Sequence, residues 1–121
     1  MPLEVGIEAS ESFTVDGRLL TDVGGTLGVS VLSTPGMIAM MERKSAMLVY
    51  PLLEQGQATV GFEVCVKHVA GALEGTGCIV RSKLVEVIDS RKLRFEVSVV
   101  TDDDRTIGVG THERRVVGAA R

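Results

Sequence analysis

Between residues 34 and 50 the apolar positions recur at helical spacing, and beyond residue 56 they recur at every second position. In the stretch from Thr34 to Tyr50, Met37, Ile38, Met41 and Leu48 draw one stripe, with Ser45 as its single polar step. Pro35 suits a first helical position, where its missing N–H costs nothing, and Thr34 is of the type that caps a helix N-terminus. The pattern predicts one helix of about four to five turns. Glu42 falls beside the stripe, and a half-buried carboxylate there needs a partner.

Four β-rich runs follow the turn marked by Pro51 and Gly56. Gln57 to His68 alternates, with Phe62, Val64, Val66 and His68 expected on one face and Gly61, Glu63, Cys65 and Lys67 on the other. Thr76 to Asp89 alternates less cleanly, as a strand buried on both faces or carrying a bulge does. From Lys92 to Thr101, Leu93, Phe95, Val97 and Val99 alternate with Arg94, Glu96 and Ser98, and Asp102-Asp103-Asp104 then turns the chain into a last run from Arg105 to Val117. Tight turns are expected between these runs. Ahead of the helix a weaker strand signal surrounds Phe13 and Val15, with a turn available at Asp16-Gly17. Gly24-Gly25-Thr26-Leu27-Gly28 lacks both the Gly-Lys-Ser/Thr ending and the strand-to-helix setting of a phosphate loop, so it reads as a flap or connection.

Composition narrows the class. The 121 residues suffice for one core, and a single domain over 1–121 is expected. Apolar residues make up 45% but aromatics only 3%, so Val, Leu, Ile and Met must fill the interior. A net charge of -3, with no basic cluster interleaved with aromatics, argues against nucleic acid as a partner. The start, Met-Pro-Leu-Glu-Val, has no basic residue followed by an apolar run, so no secretion signal is expected and a cytoplasmic location is. Val23 to Met41 is free of charge, yet its glycines and Pro35 argue against a membrane span. Cys65 and Cys78 have no metal-ligand spacing and read as small buried thiols without a disulfide; with only two histidines in the chain, no metal site is expected.

Thr34 with Glu42, then Gly61, then Val64-Cys65-Val66-Lys67-His68-Val69-Ala70, and finally Gly110-Thr111-His112-Glu113-Arg114 resemble the fluoroacetyl-CoA thioesterase family. The similarity covers about residues 30 to 117, and its specificity lies in the fit of all these strings in one register. Together with the order of elements it implies an α+β hot-dog fold, a long central helix wrapped by a curved antiparallel sheet of about five strands. It implies hydrolysis of an acyl-CoA thioester, with CoA as part of the substrate and no separate cofactor. The family's catalytic group falls on Thr34, Glu42 and His68, its substrate-facing glycine on Gly61, and its C-terminal arginine on Arg114. Fluoroacetyl-selective members carry phenylalanine in the flap before the helix, whereas Gly24 to Ser33 contains none, so the resemblance leaves the acyl group open. Relatives build their sites between subunits, which implies a homodimer or a higher assembly.

The residue types suit the reaction. Thioester hydrolysis needs an attacking group or activated water, a proton for the departing thiolate, and donors for the oxyanion. A histidine takes and returns a proton near neutral pH, which suits His68. Glu42 fits as its orienting partner, as base or as nucleophile; Thr34 fits as nucleophile or hydrogen-bonding partner; and the Gly61 N–H fits as an oxyanion donor. Arg114 suits pairing with a carboxylate or with a CoA phosphate, while His112 has no role in this scheme and reads as a hydrogen-bonded strand residue. On one regular helix, Thr34 and Glu42 lie about 12 Å and about 80° apart, so they need His68 and other groups to complete a site. Other functions compatible with the fold are a non-catalytic acyl-CoA-binding module and, less favoured, a hydratase or dehydratase, for which no Asp-x-Asn-x-x-His-like string is present.

Overall fold

The computed structural model describes residues 3–118. Strand β1 (Glu8–Thr14) is followed by a single 3-10 turn at Gly17–Leu19, the short strands β2 (Leu20–Thr21) and β3 (Val31–Leu32), and helix α1 (Thr34–Val49). After a second 3-10 turn at Tyr50–Leu52 come β4 (Gln57–His68), β5 (Gly77–Ile88), β6 (Lys92–Thr101) and β7 (Thr106–Gly118). Five strands form one antiparallel sheet in the order β1-β5-β6-β7-β4, and β2 with β3 forms a separate two-stranded ribbon. Helix α1 lies across the large sheet and meets all five of its strands.

Each element follows from its residues. Met37, Met41, Ser45 and Val49 are the buried line of α1, and its three apolar members share one core with Val80 and Leu84 of β5, Leu93, Phe95, Val97 and Val99 of β6, and Ile107 and Val116 of β7. Full burial of one such apolar side chain contributes about 1.5–3 kcal/mol. The polar step in the stripe is also satisfied: Ser82 Oγ donates to Ser45 Oγ at 2.7 Å, and Ser45 Oγ donates to the Met41 carbonyl at 2.8 Å. Both serines are buried. Replacing Ser45 alone by Ala therefore strands the Ser82 hydroxyl and should cost about 1–3 kcal/mol in denaturant unfolding, whereas Ser45→Ala with Ser82→Ala should recover most of that loss. Additive losses would show that the two hydroxyls do not depend on each other.

Two expectations change. The helix cap is Ser33, whose Oγ accepts from the Gly36 N–H at 2.9 Å; Thr34 is the first helical residue and Pro35 the second. The chain is drawn one residue further into the helix than the sequence suggests, because Ser33 N–H is already tied to the Leu19 carbonyl. The second change is topological. β4 pairs with β7 rather than β5, so residues 69–76 cross between the two strands instead of turning tightly. That crossing segment is pinned to the ribbon by the Val31–Leu73 bridge and by Leu32 N–H donating to the Ala72 carbonyl. No helix among the described residues is long and apolar enough to cross a membrane.

Candidate active site

Both ends of the site are set on β4, and a bulge decides which side chains face α1. The register runs Gly61↔Arg114 and then Glu63↔Glu113, so one extra residue is accommodated between them. Without it Gly61 would face away from His68, as simple alternation predicts. With it, Gly61, Val64, Val66 and His68 stand opposite Arg114, His112, Gly110 and Gly108 respectively. Gly61 thus comes under α1: a Cβ built on it lies 2.8 Å from Glu42 Oε2, 3.6 Å from Arg114 Nη1 and 3.7 Å from His112 Cε1. Phe62, expected on the His68 face, instead stacks under the Arg115 guanidinium at 3.6 Å and is 61% exposed.

Relieved of capping, the Thr34 hydroxyl reaches the strand. Thr34 Oγ1 and His68 Nδ1 are 2.8 Å apart, while His68 Nε2 is buried with no hydrogen-bond partner among the described residues. The threonine hydroxyl either accepts from Nδ1–H or donates to a bare Nδ1, and in both cases Nε2 is the ring nitrogen left for another partner.

Glu42 belongs to a second cluster. Arg114 Nη1 is 3.9 Å from Glu42 Oε2, with the Arg114 side chain 10% exposed and that of Glu42 41%. The guanidinium is otherwise engaged: Nε donates to Thr59 Oγ1 at 2.7 Å, Nη2 to the Thr59 carbonyl at 3.0 Å, and Nη1 to His112 Nε2 at 3.2 Å. Burial lowers the pKa of Arg114, and the Glu42 charge opposes that shift. His112 in turn donates from Nδ1 to the Glu63 carbonyl at 2.8 Å and stacks on Phe95.

The His112 imidazole is held below its ordinary 6.5 first by burial and then by the Arg114 charge, against the Glu63 carbonyl and the Glu42 carboxylate, which favour its charged form. A folded value below the unfolded one gives stability that is complete above pH 6.5 and is lost as pH falls through the depressed value. The melting temperature of the wild type should therefore fall more steeply between pH 7 and pH 5 than that of His112→Gln. Parallel curves would mean that His112 titrates alike folded and unfolded.

Of the residues singled out by sequence, the structure joins Thr34 to His68 and Glu42 to Gly61 and Arg114. Among the described residues no hydrogen bond or ion pair links Glu42 to Thr34 or His68. Sequence reasoning missed Thr59, and it left His112 without a place, although the two-residue spacing of His112 and Arg114 puts both on one strand face. Arg43 and Lys44 of α1 lie against Glu11 of β1, at 3.6 and 3.8 Å. Cys65 is exposed and Cys78 buried, with burial chiefly raising the Cys78 thiol; both are free.

One long helix laid on a five-stranded antiparallel sheet is the hot-dog architecture of thioesterases, and here it gathers a glycine, a histidine and an arginine of two adjacent strands under a helical carboxylate. The model of the FlK family, fluoroacetyl-CoA-specific thioesterases, matches residues 15–120, and the chain belongs to that family. A fluoroacetyl-CoA thioesterase of Streptantibioticus cattleyicolor is 36% identical over 87 residues, which is 72% of this chain and 61% of that protein. The alignment thus spans less than two thirds of the relative's length. The solved structure of the fluoroacetyl-CoA thioesterase FlK superposes with a TM-score of 0.86 at 28% identity, over 98% of this chain and 91% of that one. A mutant of FlK has been solved in complex with fluoroacetate and CoA. A thioesterase superfamily member from Thermus thermophilus superposes with a TM-score of 0.88 at 25% identity, over 98% of this chain and 87% of that one.

Proposed function

We propose that the protein hydrolyses a short acyl-CoA thioester to the free acid and CoA, with Glu42, His68 and Thr34 as the reacting and proton-handling groups. The observation that carries this reading is the Thr34–His68 pair, whose Nε2 is buried and has no partner among the described residues, together with the separate Glu42–Arg114 cluster over Gly61. Water adds to the thioester carbonyl and gives one proton to Glu42 as the carbonyl oxygen becomes an oxyanion; the oxyanion re-forms the C=O, the C–S bond breaks, and His68, carrying a proton on each ring nitrogen at that step, gives the Nε2 proton to the departing sulfur. Glu42 then releases its proton and His68 takes one back, so both return to their starting states. Gly61 belongs to this scheme as the residue whose missing side chain admits the Glu42 carboxylate and the substrate together. Arg114 sits at the acyl end as the cation beside Glu42, with its donors turned inward, so its part in binding is to hold that end.

A site shared between two copies of the chain completes the scheme. Gly61 and His68 lie seven positions apart on β4, about 20 Å of strand, too far for one small acyl group to bridge within a chain. β4 is an edge strand that exposes Val60, Phe62 and Val64. A two-fold axis beside Cys65 would pair two such edges antiparallel, matching Val64 with the partner's Val66 and Glu63 with the partner's Lys67. The same axis sets the Gly61 bulge, and Glu42 above it, opposite the partner's His68. Two Cys65 residues would then stand about 4.5–5.5 Å apart at Cα, within disulfide reach. Mild oxidation should give a covalent dimer that Cys65→Ser abolishes, and mixing Glu42→Gln with His68→Ala subunits should restore about a quarter of wild-type turnover through one intact site per mixed dimer. A fully active monomer rejects this arrangement.

The function itself is tested by release of free CoA from a panel of short acyl-CoA thioesters, fluoroacetyl-CoA included. Hydrolysis well above background supports the proposal; binding without turnover of any member rejects it.

A further inference from the structure

We infer that His112 is a positioning residue for Glu42, acting through Arg114 with its Nε2 lone pair. The inference rests on the hydrolytic reading of Glu42 given above. Three of the four contacts that orient the guanidinium are fixed in direction: Thr59 takes Nε–H and one Nη2–H, and Nη1 donates to His112 Nε2. With that bond made, the remaining Nη1 hydrogen is the one available to Glu42 Oε2, 3.9 Å away. The bond requires a particular tautomer. His112 Nδ1–H donates to the Glu63 carbonyl, which leaves Nε2 as an acceptor only while the ring is neutral, and the depressed pKa keeps it so. A protonated or reversed ring would present N–H to N–H and push the arginine off its seat. Glu42 needs this help because, among the described residues, Arg114 is the one group that pairs with it: its carboxylate stands over a glycine and makes no hydrogen bond to Thr34 or His68.

Three substitutions separate this role from packing. His112→Gln places an amide oxygen near the Nε2 position and keeps an acceptor for Arg114; His112→Asn keeps only a donor near Nδ1 for the Glu63 carbonyl; His112→Phe keeps the stacking on Phe95. Positioning predicts kcat lowered about 10–100-fold in the Asn and Phe variants with KM within about threefold, and a Gln variant within about fivefold of wild type. It also predicts no further loss when His112→Asn is added to Glu42→Gln, whereas damage to packing would add in full. A fully active Asn variant, or an additive double variant, overturns the inference. Crystal structures of the wild type and His112→Asn test the same role without turnover: Arg114 Nη1 should leave the neighbourhood of Glu42 in the variant, and an unmoved guanidinium overturns the inference. Absence of hydrolysis by the wild type on every acyl-CoA would count against the proposed function alone, and the two structures would still decide the role of His112.

Discussion

Glu42→Gln is expected to lower turnover about 1,000-fold with little change in KM, since proton transfer by a placed carboxylate contributes about 10²–10⁴-fold. The substitution keeps the shape of the side chain and removes its ability to take a proton. Its structural cost is small: the Glu42 side chain is 41% exposed and its ion pair with Arg114 is long, at 3.9 Å, so stability should change by less than about 1 kcal/mol. Arg114 keeps Thr59 and His112 as partners. Steady-state CoA release with parallel thermal melts measures both quantities, and near-normal turnover would remove Glu42 from the chemistry.

Gly61→Ala is the second large effect, and it comes from a single methyl group. The added Cβ stands 2.8 Å from Glu42 Oε2, closer than such atoms approach, while its other neighbours lie at 3.6 and 3.7 Å. Gly61 has no left-handed backbone angle, so alanine fits the strand. The clash is with the far end of a flexible side chain, so the carboxylate yields and the fold stays. A displacement of about 1 Å at a reacting group costs on the order of 10²-fold in rate. The variant should therefore melt like the wild type and turn over about 100-fold more slowly, and on top of Glu42→Gln it should add nothing. A stable, fully active Gly61→Ala protein would show that the carboxylate seat over Gly61 is not used.

What the sequence made readable was whatever depends on local period. The limits of β4 and β6 follow from alternation, which in β6 reflects one buried face, and Met37, Met41 and Ser45 of the α1 line follow from helical spacing, although Val49 rather than Leu48 ends that line. The misreadings share a different cause. The β4 bulge adds one residue to a continuous β-type run and leaves no mark in composition, yet it moves Gly61 from the outer face to the face under α1. The Ser33 cap depends on where Leu19 receives the chain, a contact fourteen residues away in sequence. The pairing of β4 with β7 joins runs some fifty residues apart. Among site residues, Thr34, Glu42, His68, Gly61 and Arg114 were found by family strings, and the structure divides them into two clusters. Thr59 left no such mark, since it meets Arg114 from fifty-five residues away in sequence, whereas His112 stands two residues from Arg114 on the same strand face.

The division of duties between Ser33 and Thr34 bears on how such a protein can change over generations. A residue that both started the helix and handled the substrate would couple foldability to catalysis, so that every trial at that position would risk the fold. Here Ser33 holds the helix start, and the Thr34 side chain, among the described residues, bonds to His68. Position 34 can therefore change its side chain without loss of the cap, at the very place where the flap enters the helix.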